Sequence, residues 1–370
     1  MRIIEKRKKV IIFAVLLMFI FLVQTQAPAQ DYSKRSPGGM LEKEGQSPRS
    51  NHSRKKRTLW PYIIGGAVAA GIIVFLLVKK SGDDNSGPIT STGWGERGSE
   101  PGQFNRPGTV CLDAKGYVYV IDVGNERIQK FDRNGKYIAE WSYDRTYSAC
   151  GMTVYNDKLY VANCLFYTAS IVILSLKLKI TGEWPLNAAG GVNPIAVGEI
   201  AVDANGTFYI TDRWNHRIIK LDHNGQFIKT WGSGPGSGTG QLNNPSGIMT
   251  TNNEVFVSDT QNYRIVVFDT EGNYRREWSI GGGNVHPNDL ALWGNDKLLV
   301  IRTFVPDVGH ITGGSIEKYD LNGTSLGLLD RGPDFGFGFA SPAGLAVRNS
   351  QSKVYVSDYE LHKIFVIDLY

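Results

Sequence analysis

One pattern recurs six times between residue 119 and the end of the chain, and it limits the fold more than any other feature. Each clear copy has alternating apolar residues, a polar residue that ends the run, a short loop, and a basic residue that opens a second apolar run, as in "YITDRWNHRIIKLDHNGQFIKTWG" (209–232). The residues that end the first run are Asp122, Asn163, Asp212, Asp259, Arg302 and Asp358, at spacings of 41 to 56 residues. Alternation with period two is typical of β-strands, and repetition at this length indicates a repeat architecture.

Two more strands complete every repeat. An apolar segment such as "PGTVCLD" (107–113) or "PSGIMT" (245–250) precedes each copy, and a tryptophan marks a further strand after four of the copies. These tryptophans are Trp141, Trp184, Trp231 and Trp278. Four strands per repeat and six repeats predict an all-β fold, a six-bladed β-propeller of four-stranded blades.

The two ends of the repeat region predict how the ring closes. The sixth repeat stops at Tyr370, after its third strand. Its missing fourth strand is found before the first repeat, where "ITSTGWGERGSEPGQFNRPG" (89–108) parallels "IKTWGSGPGSGTGQLNNPSG" (228–247) and Trp94 aligns with Trp231. We therefore expect the amino-terminal strand to close the last blade of a propeller over 88–370 and to pair a strand edge that would otherwise be open to aggregation.

The first 87 residues have a different character. Residues 1–29 combine a basic start, 14 apolar residues and Ala27-Pro28-Ala29, which predicts a signal peptide or an uncleaved signal anchor. Residues 30–58 are polar and basic and predict a disordered linker. Residues 59–78 carry no charge over 20 positions and predict one transmembrane helix, followed by a linker at 79–87. Small residues at Gly66 and Ala70 would let two such helices pack as a dimer.

Charge separates the two parts of the chain. Residues 1–80 hold 15 Lys/Arg and 4 Asp/Glu, whereas residues 81–370 hold 25 Lys/Arg and 31 Asp/Glu, a net charge of −6. A propeller without a basic surplus is a poor nucleic-acid binder. Eight Lys/Arg lie between residues 31 and 58, and two directly follow the predicted helix. The positive-inside rule therefore favours an extracytoplasmic propeller, although a cleaved signal peptide followed by a stop-transfer helix would leave it in the cytoplasm.

The repeat resembles the NHL-repeat family of β-propellers over roughly 88–370. The residues that carry the resemblance in the first copy are Pro107, Asp113, Tyr119 to Asp122, Asn125, Arg127, Ile128, Phe131, Asp132 and Gly135. The resemblance implies a six-bladed propeller. It implies little about function, because members of the family include partner-binding modules, sensor domains, RNA binders and a metal-dependent lyase.

A recurring Asp-x-x-Asn-x-Arg motif looks like catalytic chemistry but is better explained as structure. Its copies are Asp122/Asn125/Arg127, Asp212/Asn215/Arg217 and Asp259/Asn262/Arg264, and Asp358 holds the same place in the last repeat. A catalytic group is needed once, whereas this motif appears three times. We predict that the Asp pairs with the Arg across a hairpin and fastens the loop, and we predict no catalytic residue.

Metal chemistry finds little support in the histidines. In the lyase branch that the repeat resembles, His directly follows the Pro of the first strand in several blades. The corresponding positions here are Gly108, Cys150, Gly198, Ser246, Asn288 and Ala343. We therefore predict no cofactor and no imidazole site for a metal, although carboxylate or amide ligands for a divalent cation in the central channel stay open.

The three cysteines predict no disulfide. In the hairpin "CGMTVYNDKLYVANC" (150–164), a turn at Asn156-Asp157 pairs Cys150 with Asn163 and Ala149 with Cys164. The two sulfurs would then lie on opposite faces of the hairpin. Free, buried thiols are the expectation.

Departures from the repeat predict the binding surface, because the shared positions are committed to packing. The candidate rim residues are Phe166, Tyr167, Arg213, Trp214, Arg302, His310 and Tyr359. Aromatic residues and Arg are common at interaction hot spots. The sequence thus favours a membrane-tethered, non-catalytic binding or scaffold module for a protein or envelope ligand. The alternative is a divalent-metal-dependent lyase or lactonase-like enzyme that uses the central channel.

Overall fold

Alternating apolar residues build six antiparallel sheets of four strands each, which are the six predicted blades. The computed structural model describes residues 91–369, except 145–146, 166–167, 187–195, 233, 252, 306–312 and 330–338. The predicted segments at 1–29, 30–58, 59–78 and 79–87 lie outside the described residues, as do Phe166, Tyr167 and His310. Within the described ranges, none of the helices has the length and hydropathy that crossing a bilayer requires.

Every blade contributes one strand to each of four positions, counted from the central axis outward. The first strands are β2 (Pro107–Leu112), β6 (Ala149–Tyr155), β10 (Val197–Val202), β14 (Pro245–Thr250), β18 (Val285–Trp293) and β22 (Pro342–Arg348). The second strands are β3 (Val118–Asp122), β7 (Lys158–Asn163), β11 (Phe208–Asp212), β15 (Glu254–Asp259), β19 (Lys297–Phe304) and β23 (Lys353–Asp358). The third strands are β4 (Arg127–Phe131), β8 (Ser170–Ser175), β12 (Arg217–Leu221), β16 (Arg264–Asp269), β20 (Gly313–Asp320) and β24 (Lys363–Asp368). The outer strands are β5 (Tyr137–Ser142), β9 (Ile180–Pro185), β13 (Phe227–Trp231), β17 (Tyr274–Ser279), β21 (Ser325–Leu328) and β1 (Ser91–Trp94).

Short 3-10 turns supplement the strands at Val123–Asn125, Thr260–Asn262 and Asn349–Gln351. We number the blades 1 to 6 in the order of their first strands. The loops between second and third strands share one face of the propeller with the connections between blades, and we call it the loop face.

The strand register confirms the repeat alignment. In every blade, a residue at the start of the first strand pairs with the residue that ends the second strand. The pairs are Pro107–Asp122, Ala149–Asn163, Val197–Asp212, Pro245–Asp259, Pro287–Arg302 and Pro342–Asp358. The register then shifts by one residue in all six blades. The sequence pattern did not reveal this β-bulge, and it turns the first strand as it passes the axis.

The predicted ring closure is confirmed. β1 pairs with β24 in antiparallel register, from Ser91 opposite Ile367 to Trp94 opposite Ile364. Blade 6 is therefore built from the two ends of the propeller. The last strand of the chain has a partner on both sides.

Tryptophans of four outer strands pack against the blade that follows. The turn between the third and outer strands of the following blade approaches the indole so closely that a Cβ there would lie within 2.2–2.6 Å of it. The pairs are Trp94 with Gly135, Trp184 with Gly225, Trp231 with Gly272, and Trp278 with Gly323. These glycines also have positive φ, so both space and backbone conformation require glycine. The apolar core accordingly lies between blades.

Candidate functional site

The Asp-x-x-Asn-x-Arg residues form the ion pairs that the repeat predicts. Each Asp side chain is fully buried, and the Arg Nε lies 2.9 Å from Asp122, 3.0 Å from Asp212 and 2.8 Å from Asp259. The other oxygen of Asp122 and of Asp259 accepts the backbone N–H of Asn105 or Asn243 in the preceding connection. The motif therefore fastens each of these blades to the connection that leads into it.

The asparagine of the motif supports the same carboxylate in all three copies. Its side-chain amide donates to the Asp oxygen that also accepts the Arg, at 2.7–2.8 Å. The donors are Asn125, Asn215 and Asn262. The amide thus links the loop between the second and third strands to the ion pair.

The shared motif predicts the same loop conformation in all three copies, but the loop around Asn215 is different. Asn125 and Asn262 end 3-10 turns, whereas Asn215 lies in a turn without 3-10 geometry. The preceding connection explains the difference. In blades 1 and 4, a backbone oxygen of this connection accepts the N–H of the second loop residue, at 2.7 and 3.1 Å. In blade 3, it accepts the N–H of the first loop residue, Arg213, at 2.8 Å. The loop of blade 3 is therefore held one residue earlier, directly before Trp214.

Blade 6 uses the same position without an arginine. Asp358 pairs in register with Lys363 and accepts the backbone N–H of Ala340 at 2.8 Å and of Leu361 at 2.9 Å. The carboxylate again holds the connection between blades. Its role at this place is to accept backbone donors.

The predicted rim residues fall into different environments. Trp214 is 58% exposed, the largest exposure among the described large apolar side chains. Its neighbour Arg213 is also exposed and donates from Nε to Asn244 at 3.1 Å. Tyr359, in blade 6, is half-buried, with the guanidinium of Arg106 5.4 Å from its ring centroid.

Arg302 forms its ion pair within its own blade. It lies at the position that Asp occupies in other blades, and it forms an ion pair with Glu317 at 2.5 Å. Only Arg213 and Trp214 of the described candidates are therefore adjacent. They present a cation and an indole from one loop of blade 3.

In blades 1 to 4, two residues lie side by side on the loop face near the axis, and we call this place the mouth of the central channel. One follows the start of the first strand, and the other follows the end of the second strand. A Cβ on Gly108 would lie 3.1 Å from Val123, and a Cβ on Gly198 would lie 3.2 Å from Cδ of Arg213. In blade 4, the hydroxyls of Ser246 and Thr260 are 2.6 Å apart.

Blade 2 carries a disulfide at this mouth, so the expectation of free thiols at Cys150 and Cys164 is wrong. The β-bulge pairs Ala149 with Asn163 and leaves Cys150 outside the ladder. This one-residue shift brings the sulfur of Cys150 to the same side as that of Cys164, and the two are bonded across a Cα separation of 6.1 Å. Cys111 is the remaining free cysteine.

A second set of residues meets deeper in the channel, and sequence reasoning missed it. It consists of Thr109, Glu199 and Asp289, the third residues of the register in blades 1, 3 and 5. We call it the axial cluster. The same position in blades 2, 4 and 6 is Gly151, Gly247 or Gly344. The signal was visible in the sequence as a regular alternation of polar residue and glycine around the ring.

The alternation has a steric cause. A Cβ on Gly151 would lie 2.7 Å from Cα of Glu199, and one on Gly247 would lie 2.8 Å from Cα of Asp289. A Cβ on Gly344 would lie 2.8 Å from Cα of Thr109. Each glycine thus makes room for the polar residue of the next blade. Blades 1, 3 and 5 thus place a polar side chain in the channel, and blades 2, 4 and 6 place a glycine at the same position.

The axial cluster joins blades that are not neighbours. The hydroxyl of Thr109 in blade 1 forms a hydrogen bond with Oε1 of Glu199 in blade 3. Asp289 in blade 5 accepts the backbone N–H of Leu290 from its own strand and of Leu345 from blade 6, both at 2.8 Å. Burial raises the pKa of Asp289 to about 7. Burial and then the charge of Asp289 raise the pKa of Glu199 well above its ordinary value.

These residues do not reproduce the imidazole site of the lyase branch. The positions that would carry it are Gly108, Cys150, Gly198, Ser246, Asn288 and Ala343. His216 and His362 instead accept the backbone N–H of Asn244 and Arg106 at 2.8 and 3.0 Å, which supports the connections. Across the described residues, no three His, Cys, Asp or Glu side chains come close enough together to hold a metal ion.

Comparison with known proteins identifies the repeat. The sequence model of the NHL repeat matches residues 104–131 and 199–221. NHL repeat-containing protein 3 from Homo sapiens is 47% identical over 49 residues, which are 13% of this chain and 14% of that protein. Protein lin-41 from Caenorhabditis elegans is 41% identical over 54 residues, 15% of this chain and 4% of that protein. The chain contains NHL repeats, and it spans only these small shares of the curated relatives.

Solved structures share the whole architecture. A streptogramin B lyase structure aligns with a TM-score of 0.54 at 12% identity, over 76% of this chain and 98% of that one. A catalytically inactive virginiamycin B lyase from Staphylococcus aureus, with quinupristin, aligns with a TM-score of 0.51 at 15% identity, over 71% of this chain and 80% of that one. Identities this low show a common fold alone.

Proposed function

We propose that this chain is a membrane-tethered NHL-repeat propeller that binds a protein or envelope ligand through its loop face and catalyses no reaction. The observation that carries the proposal is the 58% exposure of Trp214 beside the exposed Arg213. A large indole exposed next to a cation is typical of an interaction hot spot. The neighbouring repeat residues Asp212 and Arg217 are paired within the blade, so they are not available to a ligand.

The path of β1 supports this use of the loop face. β24 begins directly after the loop at 359–362 and runs away from the loop face, and β1 is antiparallel to it. Ser91 therefore lies at the opposite face. A tether that precedes Ser91 would join the propeller at the face opposite the surface around Trp214.

The Cys150–Cys164 disulfide supports an extracytoplasmic propeller, because structural disulfides persist in oxidising compartments. The positive-inside rule favours the same side. Protease added to intact cells should remove the propeller, and alkylation of the denatured chain without reductant should label Cys111 but spare Cys150 and Cys164. Protection from protease together with three alkylated cysteines would place the propeller in the cytoplasm.

Binding is tested by substitution on the loop face. Trp214→Ala and Arg213→Ala should each reduce the recovery of an envelope partner in pull-downs from membranes by about tenfold, as expected for hot-spot residues. The matched control is Tyr274→Ala, which removes an exposed aromatic side chain from the outer strand of blade 4. Equal recovery with all three variants would remove this face from consideration.

The second candidate function is a divalent-metal-dependent lyase or lactonase-like enzyme. The observation that favours it is the pair of buried carboxylates, Glu199 and Asp289, in the channel. Elemental analysis of the purified chain decides it. One equivalent of Ca²⁺ or Mg²⁺ that is lost in Asp289→Asn would support the enzyme, and a metal-free wild-type protein would exclude it.

A further inference from the structure

The hydroxyl of Thr109 lies between two oxygen acceptors but has only one hydrogen to donate. Its Oγ1 contacts the backbone oxygen of Cys150 at 3.0 Å and Oε1 of Glu199. A hydroxyl has one hydrogen, and a backbone carbonyl can only accept. If Thr109 donates to Cys150, the contact with Glu199 needs a hydrogen from the carboxyl group of Glu199. The backbone oxygen of Cys150 and Oε1 of Glu199 can both form a full hydrogen bond with the hydroxyl only when Glu199 is protonated.

The surroundings of Glu199 favour that protonated form. Asp289 faces it from β18 with like charge, and the thiol of Cys111 lies near it on β2. The positive charge of Arg213, in the loop after β11, acts in the opposite direction, and its Nε donates to Asn244. The hydroxyl of Thr109 and the backbone N–H groups of Met152 and Ile200 favour the charged form, but each effect is smaller than that of burial. Among the described residues, neither Glu199 nor Asp289 takes part in an ion pair.

We propose that the axial cluster is a proton-dependent clasp: at neutral and mildly acid pH Glu199 donates its proton to Thr109 and ties blade 1 to blade 3 across the channel. Loss of protons from Glu199 and Asp289 places two negative charges in the channel and opens the clasp. The fold would then respond to the pH of the compartment in which the propeller lies. This inference stands independently of the proposed binding function, because it concerns the cohesion of the ring.

The direction of the pH dependence follows from the two carboxyl groups. In the unfolded chain they ionise near pH 4, whereas in the propeller burial raises the pKa of both, to about 7 for Asp289. A carboxyl with a raised pKa contributes stability that is complete below its unfolded pKa. That stability is lost as pH rises through the folded pKa. The axial cluster therefore stabilises the propeller in mild acid, and its contribution disappears above neutrality.

The first test is the pH profile of unfolding. Urea unfolding of the full-length chain in alkyl maltoside micelles should show a drop of about tenfold or more in the folding equilibrium constant between pH 5 and pH 8. Glu199→Gln keeps a donor toward Thr109 and cannot ionise, so its profile should be flatter and its midpoint at pH 8 higher than that of the wild type. The control Asp203→Asn changes a buried carboxylate bonded to Tyr209, away from the axis, and should keep the wild-type slope. A wild-type slope in Glu199→Gln would overturn the proposal.

The second test detects the proton itself and does not depend on a folded variant. Infrared difference spectra of the wild type between pH 5 and pH 8 should show the carbonyl stretch of a protonated carboxyl that disappears near neutrality. The chosen detergent has no ester carbonyl to obscure it. The band should be weaker in Glu199→Gln, which keeps only the protonated carboxyl of Asp289, and should keep its wild-type intensity in Asp203→Asn. If wild-type carboxyl groups have already ionised by pH 6, the clasp does not exist.

Discussion

Blades 4 and 5 place opposite charges at the same point of the repeat. In blade 4, Asp259 pairs with Arg264 and accepts the N–H of Asn243 in the preceding connection. In blade 5, Arg302 pairs with Glu317. Both residues lie opposite the proline of the first strand. The difference teaches that a side chain with an oxygen acceptor at this position can also fasten the connection between blades, whereas Arg302 forms only the ion pair within its blade.

The largest effect is expected from breaking the blade 4 arrangement. Asp259→Ala leaves the buried guanidinium of Arg264 with Glu277 as its remaining ion-pair partner and removes the acceptor for Asn243 and Asn262. We expect a loss of about 3 kcal/mol or more in the free energy of unfolding, measured by urea titration of the full-length chain in micelles.

The control for this substitution is Asp296→Ala, which removes an exposed ion pair with Lys297. It should change the free energy of unfolding by less than about 1 kcal/mol. Equal effects of the two substitutions would show that the buried carboxylate does not hold the blade.

A smaller effect is expected at the contact between the two blades. Gly247→Ala places a Cβ 2.5 Å from the backbone oxygen of Asn288 and 2.8 Å from Cα of Asp289. Backbone atoms cannot move aside easily, so the free energy of unfolding should fall by about 1–3 kcal/mol. Gly283→Ala, with nothing within 4 Å of its Cβ, should stay within about 0.5 kcal/mol of the wild type. The same urea titration separates the two, and a neutral Gly247→Ala would show that the ring of first strands is loosely packed.

The smallest effect is expected from breaking the blade 5 arrangement. Arg302→Ala leaves Glu317 with the hydroxyl of Tyr319 at 2.6 Å and that of Ser325 at 2.5 Å, so the carboxylate keeps donors. The Nε of Arg302 already lacks a partner. We expect a loss of about 1–2 kcal/mol, and a loss as large as that of Asp259→Ala would contradict the comparison.

Much of the fold could be predicted from the sequence because its signals recur. Period-two alternation and the recurring position of Asp122 and Asp212 predicted the strands, and Trp94 predicted the closing strand. The β-bulge could not be predicted in this way, since an extra residue in one strand leaves the apolar pattern nearly unchanged. The wrong prediction of free thiols at Cys150 and Cys164 follows directly, because it assumed a ladder without the bulge.

The candidate site was predictable only in part. Arg213 and Trp214 were visible as departures from the repeat, but the different turn around Asn215 was not, because it depends on a backbone contact with the preceding connection. Glu199 and Asp289 were not predicted, because the sequence prediction of catalytic and binding residues rested on histidines and on loop residues. Their contacts also skip a blade, and an alignment of repeats shows equivalent positions without showing which of them meet across a channel.

The pairing of β1 with β24 also has a mechanical consequence. Ser91 and Ile367 are partners that lie far apart in the sequence, so the ring cannot close until the chain has been synthesised as far as β24. Tension applied through the residues before Ser91 acts first on the hydrogen bonds between these two strands. The strand that completes blade 6 is therefore also the point at which a pull on the amino-terminal segment would begin to open the ring.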